Sequence, residues 1–294
     1  MQTAALNYKL IKKIKDERFD EESLHLYQLF INIGTRDLQV LVIQENIVLL
    51  LEDYVFPSLN TNQELLHVLE QLFDAHACLR AGFWKSITVG IKNNKYVQVP
   101  QTLFVAESAA EYLKFNAHVS TGHEDFLFNE NSRSGAITVF AVNKDLHAWI
   151  NTIYTNKPPL FVHQSSALIE GVMEASETST DHSLYIYIDR FKLHIISCKK
   201  GKLFYYNQFI VKQFSDYVKY IMLVMKTLNM DQQTSRVVLW GYIGKNSPHY
   251  HEFYKYISNV TFGERPAYLS FGYIFDEVQD HHFFDLYSIS LIQS

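Results

Sequence analysis

The sequence has 294 residues, of which 48% are hydrophobic, so it can bury the core of one large domain or two medium ones. Its formal charge of −5 excludes a global positive field for nucleic acid or anionic lipid. Cys78 and Cys198 stand far apart and form no CxxC pair, and the sequence has neither a signal-peptide pattern nor a membrane-spanning apolar run. We therefore expect a cytoplasmic protein with no transmembrane segment and no nucleic-acid partner.

Residues 1–24 are predicted to form an N-terminal extension. Their basic run KLIKKIK is followed at once by acidic residues, which is typical of a solvated strand or helix rather than a membrane anchor. From His25 onward come three β-rich runs, HLYQLFINI, DLQVLVIQ and NIVLLLEDYVF. These runs, with a tight turn at Glu45–Asn46, predict a three-stranded meander.

A helix is expected after the meander, because Thr61 and Glu64 form a capping box ahead of leucines at helical spacing. SITVGI then predicts a buried strand, and the irregular stretch over residues 94–131 predicts an inserted segment. The next elements are the strand AITVFAV, the helix NKDLHAWINTIYTN capped by Asn143, the short strand LFVH and the helix SSALIEGVM. Residues 25–176 thus form a first predicted half.

The pattern restarts after a polar connector. The run SLYIYIDRFKLHIISCKKGKLFYYNQFIV alternates strand and turn as the first meander does, and Leu29 falls on Leu184 at the same offset at which Leu38 falls on Leu193. An amphipathic helix, the strand RVVLWG and a further helix follow. Two meanders can align by chance, but the shared order of the later elements favours a duplicated α/β fold with a second half over residues 183–294.

This arrangement resembles the actin-like ATPase superfamily of actins, sugar kinases and heat-shock chaperones. The segment AITVFAVNKDLHAWINTIYTNKPPLFVHQSSALIEGV resembles its bacterial branch, which holds the pilus-assembly M protein, the L protein of type II secretion and the cell-division actin homologue. The chain is also similar in length to an actin-like family from Bacteroidetes. The resemblance implies two duplicated ribonuclease-H-like halves around a nucleotide cleft, each half a five-stranded mixed sheet with flanking helices.

The first phosphate motif of the superfamily resembles D-x-G-T on the first hairpin, where the carboxylate helps to hold a metal–phosphate complex. The matching residues here are Asn32, Gly34 and Thr35. A Gly-Thr turn can hold a phosphate against backbone N–H groups, or it can be an ordinary hairpin turn. Asn32 replaces the carboxylate, so this position cannot act as a general base.

The second phosphate motif resembles D-x-G and reads Asp189, Arg190 and Phe191 here. The carboxylate is retained, but an aromatic ring replaces the glycine and is expected to fill the space of a phosphate. The adenosine motif resembles a strand that ends in two glycines. This chain keeps Gly241 and has Tyr242 in place of the second glycine. Because each motif departs at one demanding position, the sequence favours a vestigial nucleotide cleft that has lost ATP hydrolysis.

Two functions follow from these residues. The favoured one is a non-catalytic protein-interaction or assembly scaffold on a degenerate actin-like ATPase fold, without a cofactor, that works with a protein partner in the cytoplasm or at the inner face of the membrane. The alternative is an actin-like ATPase or nucleotide switch with an altered phosphate site, which would bind ATP and magnesium. Residues 94–131 are the expected partner surface, because inserted segments often carry specificity. No complete set of metal ligands and no other catalytic motif is recognised.

Overall fold

A computed structural model describes residues 8–57, 59–190 and 192–292 of the chain. Its strands are β1 (Lys9–Lys15), β2 (Gln28–Gly34), β3 (Asp37–Gln44), β4 (Ile47–Val55), β5 (Ser86–Lys92), β6 (Tyr96–Pro100), β7 (Glu124–Asn131), β8 (Ala136–Asn143), β9 (Leu160–His163), β10 (Ser183–Ile188), β11 (Lys192–Lys199), β12 (Lys202–Ile210), β13 (Val237–Gly241), β14 (Val260–Phe262) and β15 (Ser270–Phe271). Its α-helices are α1 (Asn62–Ala75), α2 (Ala77–Arg80), α3 (Ala109–Lys114), α4 (Lys144–Ile153), α5 (Gln164–Ala175), α6 (Phe214–Thr227), α7 (Pro248–Tyr254) and α8 (Phe284–Ser288).

Two large mixed sheets share one topology. The first contains the order β4-β3-β2-β5-β9 and the second the order β12-β11-β10-β13-β14. In each sheet the first three strands form an antiparallel meander and the last two are added in parallel. Even the irregularity repeats, because the register shifts between Val42 and Ile43 in one meander and between Ser197 and Cys198 in the other. The predicted duplicated α/β fold is therefore confirmed.

The first sheet is extended at the outer edge of β4, where β1 pairs antiparallel and β15 pairs parallel. Glu52 of β4 is fully buried and holds β1 through an ion pair of 2.7 Å with Lys13. Thus part of the predicted N-terminal extension adds a strand to the sheet. The chain after β14 also returns to this sheet, through β15 and α8, although it follows the second meander in sequence.

The inserted segment forms a third, smaller sheet in the order β6-β8-β7. Ala109 and Leu113 of α3 pack on this sheet against Val99 and Val139. The sequence predicted that the insertion ends at residue 131. In the structure β8, which follows that residue, pairs with both β6 and β7, so the small sheet continues beyond the predicted end.

Helix α5 lies between the two large sheets and is buried from Gln164 to Met173. Its residues join the apolar contacts of both sheets, and a Cβ at Gly171 would stand 2.1 Å from Ser288 Oγ, which shows how closely α8 packs on α5. Helices α1 and α4 cover the other face of the first sheet, and α6 and α7 that of the second. In the described part of the chain, no helix combines the length and apolarity that crossing a bilayer requires.

Candidate functional site

The turns that carry the two predicted phosphate motifs are tied together by Arg190. This residue follows β10 in the second half, yet its Nη1 donates to Asp37 at 2.7 Å and its Nη2 to Asp53 at 2.6 Å. Both carboxylates belong to the first sheet and are buried. Charge-assisted hydrogen bonds of this kind are short and directional, so Arg190 joins the two halves at the place where the resemblance puts a nucleotide.

Lys92, at the end of β5, makes a second link between the halves. Its Nζ donates to Asp37 at 2.6 Å and to Asp189 at 3.2 Å. Burial disfavours the charged amine, but Asp189, Asp37 and Asp285 outweigh burial and raise the pKa of Lys92. Burial alone would likewise raise the pKa of Asp189, whereas Lys92 and Lys192 together lower it. Both shifts favour the ionised forms of Lys92 and Asp189.

Tyr242 completes the contacts around Arg190. The guanidinium lies 4.3 Å from the centre of the Tyr242 ring, which adds a cation–π contact. The phenol oxygen accepts a hydrogen bond of 2.7 Å from Gln39 and lies 3.4 Å from Asp53. Tyr242, which replaces the second glycine of the adenosine motif, therefore fills space beside the two turns.

Gly241 has a structural reason to be glycine. Its φ is +95°, and a Cβ there would stand 2.1 Å from the carbonyl oxygen of Ile188. A side chain would need both an unfavourable backbone conformation and a shift of β10. The retained glycine therefore lets β13 approach β10 closely, a requirement that is independent of any bound adenosine.

Asn32 lies against a buried carboxylate that comes from the end of the chain. Its Nδ2 donates to Asp285 at 3.4 Å, while Gln164 donates to Asp285 at 2.7 Å and Tyr187 at 2.5 Å. Burial raises the pKa of Asp285, and Lys92 only partly opposes this effect. An amide at position 32 can donate to Asp285, whereas a carboxylate there would face it with like charge.

Gly34 and Thr35 lie at the rim of this cluster. A Cβ at Gly34 would stand 2.0 Å from Asp37 Oδ1, so the glycine gives Asp37 room to reach Lys92 and Arg190. Thr35 is exposed. Both residues line a cavity of about 190 Å³ whose other walls come from α1, the end of β5, β8 and the start of α4. Phe191, which the sequence predicts in the second turn, lies outside the described residues.

Two of the predicted site residues lie in the buried cluster: Asn32 donates to Asp285, and Asp189 accepts from Lys92 and Gln164. Gly34 lies beside Asp37. Next to Gly241, Tyr242 lies on the guanidinium of Arg190. Sequence reasoning missed the residues that complete the cluster. They are Asp37, Gln39, Asp53, Lys92, Gln164, Tyr187 and Asp285. The sequence did contain a signal for some of them, because the apolar strands NIVLLLEDYVF and SITVGIK are interrupted or ended by charged residues. A charged residue in such a strand is buried only when it is paired, so each of these charges indicated a partner.

The cations of this cluster are already engaged by carboxylates of the chain. Lys92 and Arg190 are bound by Asp37, Asp53 and Asp189, and Lys192 donates to the Lys92 carbonyl at 2.8 Å. A phosphate entering between the turns would compete with these carboxylates for the same cations. No group of three or more His, Cys, Asp or Glu side chains in the described ranges is arranged to hold a metal ion. The ion pairs of this cluster connect the two halves.

The paired meanders, the helix between them and the facing turns define an actin-like ATPase fold. The chain belongs to the family described as protein of unknown function (DUF3822), whose model matches residues 16–260. No curated protein matches it. One similar structure is the Bacteroides thetaiotaomicron VPI-5482 protein with actin-like ATPase fold and unknown function, with 20% identity, a TM-score of 0.78, and coverage of 94% of this chain and 99% of that one.

A second similar structure is the PilM–PilN type IV pilus biogenesis complex. Its matching chain is 11% identical, with a TM-score of 0.59 and coverage of 90% of this chain and 97% of that one. The resemblance to actin-like proteins, predicted from the sequence, is confirmed. At these identities the likeness establishes the fold alone.

Proposed function

We propose that this protein is a non-catalytic interaction scaffold on a degenerate actin-like fold. The observation that carries the proposal is the buried ion cluster between the two turns, in which Arg190 and Lys92 are bound by Asp37, Asp53 and Asp189. In phosphoryl transfer, cations and metal ions stabilise the charge of the transferred group. Here the cations at the turns neutralise the protein's own carboxylates, which supports a structural use of the cleft.

The altered metal position supports the same conclusion. The superfamily motif that Asn32 matches uses a carboxylate to hold a metal–phosphate complex, and magnesium prefers carboxylate ligands. Asn32 instead donates to Asp285 in a fully buried pair. The residues present therefore do not fit a magnesium–nucleotide complex without rearrangement of both halves.

The inserted sheet supplies a candidate partner surface. Phe115 is 87% exposed and Leu103 is 67% exposed, and in the same segment the rings of Phe104 and Phe128 lie 4.8 Å apart. Large apolar side chains exposed within one inserted segment make it the candidate interaction site. A similar structure is described as the PilM–PilN complex, so we propose a protein partner here as well, in the cytoplasm or at the inner face of the membrane.

The test compares partner recovery by two matched variants in the native host. Deletion of residues 94–131 would remove both neighbours of β8, so substitution is the sharper change. Leu103→Ser with Phe115→Ser should abolish recovery of a specific protein, while Tyr273→Ser, at a residue 76% exposed on another part of the chain, should retain it. The proposal fails when wild type recovers no specific protein, or when both variants recover the same one.

The alternative, a nucleotide switch, is favoured by one observation. Gly34 and Thr35 line the cavity of about 190 Å³ together with Lys95 and its ion-pair partner Glu124, so a small anionic group there would contact the Gly-Thr turn and compete with Glu124 for Lys95. Calorimetry with ATP and magnesium distinguishes the two functions. Heat of binding that disappears in Asp189→Ala would support the switch, whereas no binding and no hydrolysis above a buffer control are the outcomes that the scaffold predicts.

A further inference from the structure

Helices α1 and α6 are counterparts in the two halves of the chain. Each follows the third strand of its meander and leads, through α2 in the first half, to the strand that pairs parallel with the first strand of the meander. Each has 14 residues. When their first residues are aligned, the positions buried against the sheets correspond. These pairs are Leu69 with Ile221, Leu72 with Val224 and Phe73 with Met225. The first half therefore shows what the fold requires of a helix in this place.

The outward positions of the two helices differ in character. Where α1 has Glu70 and Gln71, α6 has Met222 and Leu223, and Leu223 is 53% exposed. Exposed apolar residues are common when they stand singly, but here the duplicated helix has polar side chains at the same positions. The fold therefore does not require these apolar residues, and we expect them to have another use.

Met222 and Leu223 lie in a depression of about 550 Å³ between α6 and the turn that follows it. Its walls also include Met230, Lys219 and Lys226, and no acidic side chain is among them. Within the described ranges, neither lysine has an ion-pair partner. The surface thus combines apolar side chains with unpaired positive charge.

Two carboxylates stand near the ends of α6, but the backbone of the chain already uses them. Asp216 caps the start of the helix by accepting from backbone N–H groups. Asp231 accepts from backbone N–H groups of the turn after the helix. These hydrogen bonds hold both carboxylates at the backbone, and the lysines between them are left without a direct partner.

The spacing of the lysines indicates the shape of the occupant. Lys219 and Lys226 are seven residues apart, which places them two turns apart and about 10.5 Å from each other along the helix axis. A partner helix laid along α6 repeats this spacing, so its carboxylates seven residues apart can reach both lysines. Apolar residues between those carboxylates then contact Leu223. Helices that dock on a protein surface commonly use anchors at i, i+3, i+4 and i+7.

Two other occupants fit this surface less well. Recognition of anionic lipid typically takes about four to eight clustered basic residues, whereas this surface has two lysines and the formal charge of the chain is −5. A second copy of this chain could offer the acidic outer face of α1. There, however, Asp74 is paired with Arg80, and Glu70 lies 3.8 Å from His67. A partner protein with unpaired carboxylates is therefore favoured.

We propose that α6 is a docking surface for an acidic, amphipathic helix of a partner protein. The carboxylates of that helix pair with Lys219 and Lys226, and its apolar residues pack on Met222, Leu223 and Met230. This inference goes beyond the proposed function, because it adds a binding site that shares no residue with the inserted sheet.

A designed peptide tests the surface in solution. The probe is a capped helical peptide with two glutamates seven residues apart and two leucines between them. We expect its binding to shift the NMR signals of the Met222 and Met230 methyl groups. The double variant Lys219→Glu with Lys226→Glu should weaken binding at least tenfold, because two attractions between opposite charges become repulsions.

The matched control is Lys85→Glu with Lys157→Glu, which makes the same change of charge elsewhere and should bind the peptide as wild type does. All four lysines are exposed, so both double variants are expected to fold, and equal thermal unfolding checks this. Exchange of charge is the sharper test. The variant reversed at Lys219 and Lys226 should bind a peptide in which lysines replace the two glutamates.

Photo-crosslinking in the native host tests the same surface on a natural partner. A benzophenone amino acid at Leu223 should crosslink to a stretch that combines Asp or Glu with apolar residues. A stretch rich in Lys and Arg, or no crosslink, counts against the proposal. Leu103→Ser with Phe115→Ser should leave this crosslink and the peptide binding unchanged, so this inference and the proposed function can fail separately.

The remaining outcomes are equally decisive. Absence of methyl shifts, or equal binding of the peptide by the two double variants, overturns the proposal. Binding to vesicles of anionic lipid that is lost in Lys219→Glu with Lys226→Glu would assign the surface to a membrane. Self-association in sedimentation that is lost in the same variant would assign it to a second copy of this chain. Either of these results also overturns the proposal.

Discussion

Restoring the missing carboxylate by Asn32→Asp should damage this protein rather than repair it. Asn32 is fully buried, and its Nδ2 donates to Asp285 at 3.4 Å. The substitution removes that donor and places two carboxylates side by side. At this separation, two unit charges repel by about 5 kcal/mol with an effective dielectric constant near 20. Sharing a proton relieves part of this cost, so we expect a loss of about 3 to 5 kcal/mol in the free energy of unfolding at pH 8.

The loss should depend on pH in a defined direction. In Asn32→Asp the folded pair retains a proton at pH values where the same groups are ionised in the unfolded chain. The folded state therefore binds more protons, and stability falls by up to about 1.4 kcal/mol for each pH unit over which that proton is bound. The difference from wild type should accordingly be at least halved at pH 5.5 compared with pH 8.

Denaturant unfolding at the two pH values measures this effect. Asn246→Asp, at an exposed asparagine, is the matched control and should stay within about 0.5 kcal/mol of wild type. Combining Asn32→Asp with Asp285→Asn reverses the amide and carboxylate and should recover at least half of the loss, as expected for directly coupled residues. An Asn32→Asp variant as stable as wild type at pH 8 would falsify this account of the pair, and magnesium-dependent ATP hydrolysis by it would contradict the vestigial cleft.

Three further predictions concern the supports of the site. Arg190→Ala leaves Asp37 and Asp53 buried without their shared cation and should lower the free energy of unfolding by about 3 kcal/mol. The control Arg80→Ala removes an exposed ion pair with Asp74 and should cost less than about 1 kcal/mol. Equal losses in the two variants would show that the Arg190 bridge does not stabilise the fold. Gly241→Ala should lower the free energy of unfolding by about 2 kcal/mol or more, because position 241 has a positive φ and lies against the Ile188 carbonyl. The control Gly244→Ala places its methyl group in open space and should leave thermal unfolding nearly unchanged. Burial alone would raise the pKa of Glu52, but His76, Lys13 and Tyr54 lower it to about 2. The stabilisation from ionised Glu52 is therefore present above its unfolded pKa of about 4.3 and is lost as the pH falls towards 2. The difference in unfolding free energy between wild type and Glu52→Gln should shrink from pH 6 to pH 3, and a constant difference would contradict the assignment.

The parts of the fold that sequence reasoning predicted correctly depend on local or repeated patterns. The two meanders were recognisable because alternating and apolar runs recur at one offset, and even the register shift follows the repeat. The helix caps were equally local, with Thr61 accepting from the Glu64 N–H and Asn143 from the Leu146 N–H. Each of these features is encoded within a few neighbouring residues.

The parts that were missed depend on contacts between distant segments. Asp285 reaches Asn32 from the far end of the chain, and Arg190 reaches Asp37 and Asp53 across the boundary between halves. Periodicity predicts that a charge within an apolar strand needs a partner, but it does not identify the partner. The same limit applies to β15, which is too short to give a pattern and is defined only by its pairing with β4.

The departures from the nucleotide motifs fit one another rather than being independent losses. Asn32 donates to Asp285, which also accepts from Gln164, and Gln164 in turn donates to Asp189. Tyr242 lies on Arg190, whose guanidinium neutralises carboxylates of the first sheet. Because these groups share partners, reverting any one of them leaves a buried donor or charge unpaired elsewhere, and the free-energy effects of such reversions should be strongly non-additive. The shared contacts of the cleft therefore connect the two halves as one coupled unit.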